Sequence, residues 1–173
     1  MYKIELLTAP IESKIIIKNL ARFYVYELSR YSDNLPGWEF PEDGLYEAKD
    51  KYFHYDKYWS DPGYFPFLIR VDNELAGFSL VKNSGLTPDV EWNLVEFYIV
   101  AKFQGQGIGR EIAKQLLDKF SGVWQLMQMP QNTPAIAFWR TVLNEYTNGH
   151  FSEEIKILPD PVPHEMNVMK FKN

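Results

Sequence analysis

The densest chemistry in the sequence lies between Val95 and Arg110. An apolar run carrying one carboxylate, Glu96, leads into Gln104-Gly105-Gln106-Gly107-Ile108-Gly109 and then Arg110. A strand that enters a glycine-rich turn and opens a helix has a specific use. Glycines let the main chain approach a ligand because no Cβ intervenes, and the first helical turn carries unpaired N–H groups and a partial positive charge. Together they make a cradle for an anion, most naturally a phosphate or pyrophosphate. The same letters also read as a tight strand-to-helix turn with glycines kept for packing. Two nucleotide motifs fail on spelling. The P-loop needs Gly-Lys followed by Ser or Thr, and no Gly-Lys pair occurs; the dinucleotide fingerprint needs G-x-G-x-x-G, and the spacing here is G-x-G-x-G.

Three segments together carry a family resemblance. Gln104–Gly109 resembles the [RQ]-x-x-G-x-[GA] loop of the GNAT N-acetyltransferase superfamily, and Val100-Ala101-Lys102-Phe103 resembles the lead-in to that loop. Asn132-Thr133-Pro134-Ala135-Ile136-Ala137-Phe138-Trp139 resembles the family's N-x-x-A-x-x-[LF]-[YW] segment. The pieces come in the family's order within residues 65–151, while residues 1–60 match only in layout. The resemblance implies acetyl-CoA as cofactor and transfer of the acetyl group to a primary amine by direct attack in a ternary complex. It implies that the amides of Gln104, Gly105, Gln106, Gly107, Ile108, Gly109 and Arg110 hold the pyrophosphate. The backbone of Tyr98, Ile99 and Val100 pairs with the pantetheine arm. Asn132 touches the arm or the acetyl end, and Ala135, Phe138 and Trp139 pack beside the cofactor. Arg110 and Lys102 either meet the 3′-phosphate or are plain surface charge.

Acetyl transfer to an amine needs a neutral nucleophile, so a base must take a proton. Glu96 is the first candidate, because burial in an apolar strand raises a carboxyl toward a useful range; the other reading is a strand glutamate on a solvated face. Glu91 is a second choice. The family's tyrosine acid falls on Trp139, and an indole N–H does not release a proton. Tyr98 or Tyr146 must then serve as the acid, or the thiolate leaves unaided. The acceptor side draws on a compositional oddity: 15 of the 28 aromatic residues lie between Phe23 and Phe67. The family layout puts two helices over the acceptor side within residues 15–60. Tyr24, Tyr31 and Trp38, with Tyr52, Tyr55, Tyr58 and Trp59, are candidates to wall a pocket for a cationic amine; the same rings also suit core packing.

These residues need a frame. Strands are predicted at 3–7, 65–71, 75–81, 92–100, 123–129, 154–158 and 165–171. Helices are predicted at 15–31, 45–58, 110–120 and 133–146. Ile16, Leu20, Phe23 and Leu28 form the stripe of the first helix. Asp72-Asn73-Glu74 joins a hairpin, and Val95, Phe97 and Ile99 alternate against Glu96, Tyr98 and Val100. The order is α/β with a mixed sheet (α+β), and the resemblance implies a mostly antiparallel sheet of six to seven strands with about four helices, in one domain over residues 1–173.

Composition narrows the classes. The absence of Cys removes disulfides, Cys-ligated metals and thiol nucleophiles, and the three His have no metal-ligand spacing. A net charge of −5 argues against nucleic acid. No apolar run is long enough to span a bilayer, and the first ten residues lack a signal-peptide pattern. The expectation is a cytoplasmic enzyme acting on a small-molecule or peptide amine, with a homodimer as the assembly the resemblance allows. The rival readings are a non-catalytic acyl-CoA-binding domain and a nucleotide-binding regulatory domain.

Overall fold

A computed structural model describes residues 2–32, 35–46 and 55–173. The strands are β1 (Ile4–Thr8), β2 (Tyr64–Val71), β3 (Glu74–Lys82), β4 (Trp92–Ile99), β5 (Val123–Gln128), β6 (Phe151–Leu158) and β7 (His164–Lys172). They form one seven-stranded sheet in the order β1-β2-β3-β4-β5-β7-β6. Every pairing is antiparallel except β4 with β5. The β2–β3 hairpin closes through Asp72 and Asn73, both in the left-handed region (φ 48° and 69°). That is the backbone a two-residue hairpin turn requires, and Asp and Asn tolerate it.

Each face of the sheet carries its own core. On one face lie α1 (Lys14–Leu28), continued by a 3-10 turn at Ser29–Tyr31, and a single helical turn, α2 (Lys57–Ser60). On the other lie α3 (Ile108–Leu117) and α4 (Thr133–Tyr146). The first core joins Ile17, Leu20 and Ala21 to Tyr58, Phe78 and Tyr98. The second joins Ile108, Ile112, Leu116, Trp139 and Leu143 to Leu94, Leu126 and Met169.

Sequence and structure differ at several places. The buried stripe of α1 is Ile17, Leu20, Ala21 and Val25, one step round from the expected one, and Phe23 is 62% exposed. Helix α3 begins at Ile108, inside the glycine turn, and ends at Leu117. Phe120 therefore lies beyond it and stacks on Trp92, ring centres 4.3 Å apart. Of the helix predicted over 45–58, Leu45 and Tyr46 are irregular and Lys57 and Tyr58 are in α2, while residues 47–54, with Tyr52 and His54, lie outside the described residues.

The alternation of β4 breaks once. Val81 pairs with Leu94, but Leu80 pairs with Glu96, so the register passes over Val95. A bulge of this kind shifts the following side chains to the opposite face. Trp92 and Leu94 accordingly share the α3–α4 core with Phe97 and Ile99, whereas Val95 and Tyr98 belong to the α1 core. Val95 thus joins the Glu96 side, contrary to simple alternation.

Candidate active site

Strands β4 and β5 pair only from Trp92–Leu94 to Trp124–Leu126. Beyond that point each continues without the other, leaving a wedge-shaped gap in the middle of the sheet. A cavity of about 360 Å³ occupies the gap. Its wall combines Leu94, Val95, Glu96 and Phe97 of β4 with Leu126–Gln128 of β5, and Met129, Asn132, Ala135 and Trp139 at the entry to and within α4. Tyr24 and Leu28 of α1, Leu35 and Trp38, and Asp160, Pro161, His164 and Met166 around the start of β7 complete it.

Glu96 is the titratable group at the centre. Its side chain keeps a partial opening, but burial pushes its carboxyl from the ordinary 4.5 up to about 8, against the lowering effect of a hydrogen bond from Tyr24. Burial, reinforced by this carboxylate, also raises the Tyr24 and Tyr58 hydroxyls, so both stay protonated and can donate. Tyr24 is held by Phe78 and Tyr98, at ring-centre distances of 5.9 and 5.5 Å.

The shift has a measurable consequence for folding. The folded value lies above the unfolded one, so between about pH 4.5 and 8 the folded protein holds a proton that the unfolded chain releases. Stability from this group is full below about pH 4.5 and is lost as pH rises through about 8. Denaturation midpoints across that window are expected to fall with pH in the wild type and less steeply in Glu96→Gln. Parallel curves would show that Glu96 titrates as an ordinary carboxyl.

The glycine turn sits at the far end of β4. After a 3-10 turn at Ala101–Phe103, Gly105 and Gly107 take left-handed φ values of 72° and 79°, and Gly107 caps α3 without a side-chain bond. A Cβ at either glycine would meet nothing within 4 Å, so open space borders the loop. The N–H groups of Gly105 through Arg110 have no hydrogen-bond partner among the described residues. Side chains brace the loop from behind: Gln104 Nε2 donates to Ile99 O at 2.7 Å, Gln106 Nε2 to Lys102 O at 2.7 Å, and Tyr2 Oη to Gln106 Oε1 at 3.0 Å. Unpartnered N–H groups bordering open space fit a pyrophosphate.

The other expected residues fall on both sides of the reading. Asn132 lines the cavity and is itself the cap of α4, its Oδ1 accepting from Ala135 N at 3.2 Å. Such a cap stabilises a helix by about 1 kcal/mol. Phe138 stacks on Phe97 at 6.0 Å, and Trp139, 6% exposed, meets Phe97 edge-on at 5.1 Å. Trp139 is a floor of the cleft. Tyr98 is corrected as a proton donor: its hydroxyl donates to Glu27 at 2.9 Å on the α1 side, burial raises its pKa, and it is absent from the cavity wall. Val100 is corrected as a pairing residue, because its N–H is donated to Ala76 O of β3. By antiparallel alternation the edge of β4 that borders the gap is presented by Phe97 and Ile99, with the Ile99 carbonyl already accepting from Gln104 Nε2. Tyr146 donates to Asp118 at 2.8 Å, and Glu91 accepts from Val123 N at 2.8 Å; both are engaged elsewhere.

The flanking cations are already paired, Arg110 with Glu145 and Lys102 with Glu74. Of the aromatic residues expected at the acceptor side, Tyr24 and Trp38 line the cavity and Tyr31 does not. Trp38 is steadied through its carbonyl, which accepts from Tyr46 Oη at 3.1 Å, while Tyr46 packs with Phe40 and Tyr26. Tyr55 and Tyr58 are buried in the α1 core, and Trp59 donates to Ala9 O. Sequence reasoning missed Gln128, Asp160 and His164. The first read as ordinary strand, while Asp160 in the β6–β7 connection and His164 at the start of β7 reach the gap only through folding.

Residues 27–143 match the model of the acetyltransferase (GNAT) family. Over 74 residues the chain is 32% identical to N-alpha-acetyltransferase RimI of Mycobacterium tuberculosis. That match takes in 42% of this chain and 47% of the relative, so the chain spans about half the length of this curated relative. Among solved structures, an acetyltransferase from Thermus thermophilus superposes with a TM-score of 0.62 at 17% identity, covering 98% of this chain and 97% of that one. The ribosomal-protein-S18-alanine N-acetyltransferase of Escherichia coli gives 0.60 at 15%, covering 99% and 94%. A Salmonella typhimurium protein solved with its cofactor acetyl-CoA gives 0.59 at 12%, covering 98% and 93%. At these identities the likeness to the solved structures is one of fold.

Proposed function

The chain belongs to the acetyltransferase (GNAT) family, and from that premise we propose that it moves an acetyl group from acetyl-CoA to a primary amine by direct attack in a ternary complex. The observation that carries this reading is the continuity of the site: the β4–β5 gap, with Glu96 inside it, lies on the strand that runs into the open N–H cradle at Gly105–Arg110.

Acetyl-CoA, when bound, supplies an activated acyl carbon and a thiolate leaving group. The loop amides hold the pyrophosphate, helped by the partial positive charge at the start of α3, worth up to about 2 kcal/mol for an anion. The edge of β4 that borders the gap, at Phe97 and Ile99, aligns the pantetheine arm as an added strand would. Asn132 and Ala135 border the acyl end, and Trp139 with Phe97 keeps it dry. Glu96 takes a proton from the incoming amine, and Tyr24 holds the carboxylate in place through its hydroxyl. Asp160, joined by Glu96 once it ionises near pH 8, gives the cleft a negative bias that favours a cation, and Trp38 offers a ring face to it. A base that titrates near 8 is half-ionised there, so kcat/KM should climb as pH rises toward about 8.

The test is release of CoA thiol from acetyl-CoA against a panel of amines: amino acids and their amides, short peptides, polyamines and aminoglycosides. Turnover with at least one class is the expected result. Tight binding of acetyl-CoA without turnover on any of them would favour the non-catalytic acyl-CoA-binding reading.

A further inference from the structure

The wall of the cleft contains a buried amide whose donors are unused. Gln128 closes β5, lines the cavity and is 6% exposed. Its Oε1 accepts a hydrogen bond from Asn167 Nδ2 at 3.0 Å, and its Nε2 has no partner among the described residues. Burying an amide without its partner costs about 1–3 kcal/mol, and such orphans are rare enough to need an explanation.

The direction of the amide is fixed by its surroundings. Asn167 stands opposite Gln128 on β7 and is buried, 3% exposed. Its amide also lies close enough to Glu153 to lower that carboxyl, and Arg140 clamps Glu153 through two bonds of 2.8 Å. A chain of polar contacts thus runs from the surface of α4 to Gln128 and holds the amide oxygen toward β7. The nitrogen of a planar carboxamide diverges from its oxygen, so Nε2 is turned away from β7. On that other side of β5, strand β4 has parted after the Leu94–Leu126 pair. On that side Gln128 borders the gap beside Leu126, Met127 and Met129, and its Nε2 is closed off from solvent.

We infer that Gln128 is a specificity residue that donates a hydrogen bond to a carbonyl oxygen entering the β4–β5 gap. This rests on the acetyl-transfer reading above. Two molecules of that reaction bring a carbonyl to the gap. One is the cofactor, through an amide of its arm or its thioester; the other is an acceptor whose amine is flanked by a carbonyl, as in an amino-acid amide or a peptide N-terminus.

Two variants test this. Gln128→Glu keeps the oxygen that Asn167 bonds and removes the donors, and Gln128→Leu removes the whole amide; either one that folds is sufficient. Acetyl-CoA affinity is measured by calorimetry, and KM is measured for an amino-acid amide and for a simple alkylamine. The expected result is a loss of about 5- to 100-fold in one of these quantities. A loss in acetyl-CoA affinity assigns the cofactor's carbonyl; a KM rise confined to the amino-acid amide assigns the acceptor's. A lowered melting temperature with affinity and both KM values unmoved would make Gln128 a packing residue and overturn the inference. A wild-type protein that binds no acetyl-CoA would overturn the acetyl-transfer reading and this inference with it, whereas wild-type binding with unaltered variants overturns the role of Gln128 alone.

Discussion

Glu96→Gln is expected to lower kcat about 100- to 10,000-fold, the range that a positioned general base contributes, with acetyl-CoA affinity close to wild type. The substitution keeps size and hydrogen-bonding capacity, so Tyr24 still has an oxygen to donate to and the α1 face keeps its packing. What it removes is the only carboxylate that β4 presents to the cavity. The deficit should shrink as pH rises toward the pKa of the acceptor amine, because an amine that is already neutral depends less on a base. The wild type should lose activity below about pH 8 as Glu96 takes up its proton, and the variant should lack that limb. An unchanged kcat in the variant would move the base to another group of the cleft, Asp160 or His164 first among them.

Gly107→Glu is expected to weaken acetyl-CoA binding by at least about 100-fold while the protein stays folded. The backbone cost is modest: a non-glycine residue in the left-handed region loses about 1–2 kcal/mol. A Cβ there meets no atom within 4 Å, so nothing inside the protein is displaced. The damage is to the cradle. The new side chain occupies the space that the pyrophosphate needs and puts a negative charge at the start of α3, where the N–H groups are meant for the ligand. A near-wild-type denaturation curve together with lost calorimetric binding is the expected pair of results. Unaltered affinity would sink the assignment of the loop.

The parts of this site that were legible in the sequence depend on short-range pattern. Gln104–Gly109 spells its own turn, Asp72-Asn73 its hairpin, and Asn132-Thr133-Pro134 a helix start, because each is decided by the conformational limits of a few adjacent residues. Glu96 stood out for the same reason, as one carboxylate in an apolar run. The rest is long-range. The bulge at Val95, which decides the faces of Val95 and Glu96, comes from the pairing of β4 with β3, and no pattern within β4 announces it. The commitment of the Tyr98 hydroxyl to Glu27 spans 71 positions. The parting of β4 from β5, the turn of the Gln128 amide and the arrival of Asp160 and His164 at the gap exist only once the sheet is assembled. Aromatic crowding was visible as composition, but its division between a cleft wall (Tyr24, Trp38) and a core (Tyr55, Tyr58) required the fold.

Amide hydrogen exchange with and without acetyl-CoA tests the central claim most directly. The account predicts that acetyl-CoA protects the amides of Gly105–Arg110 and the exposed edge of β4 at Phe97 and Ile99, and leaves β1, β2 and β6 as they were. Binding that protects other segments, or no protection at the loop at saturating acetyl-CoA, would contradict it.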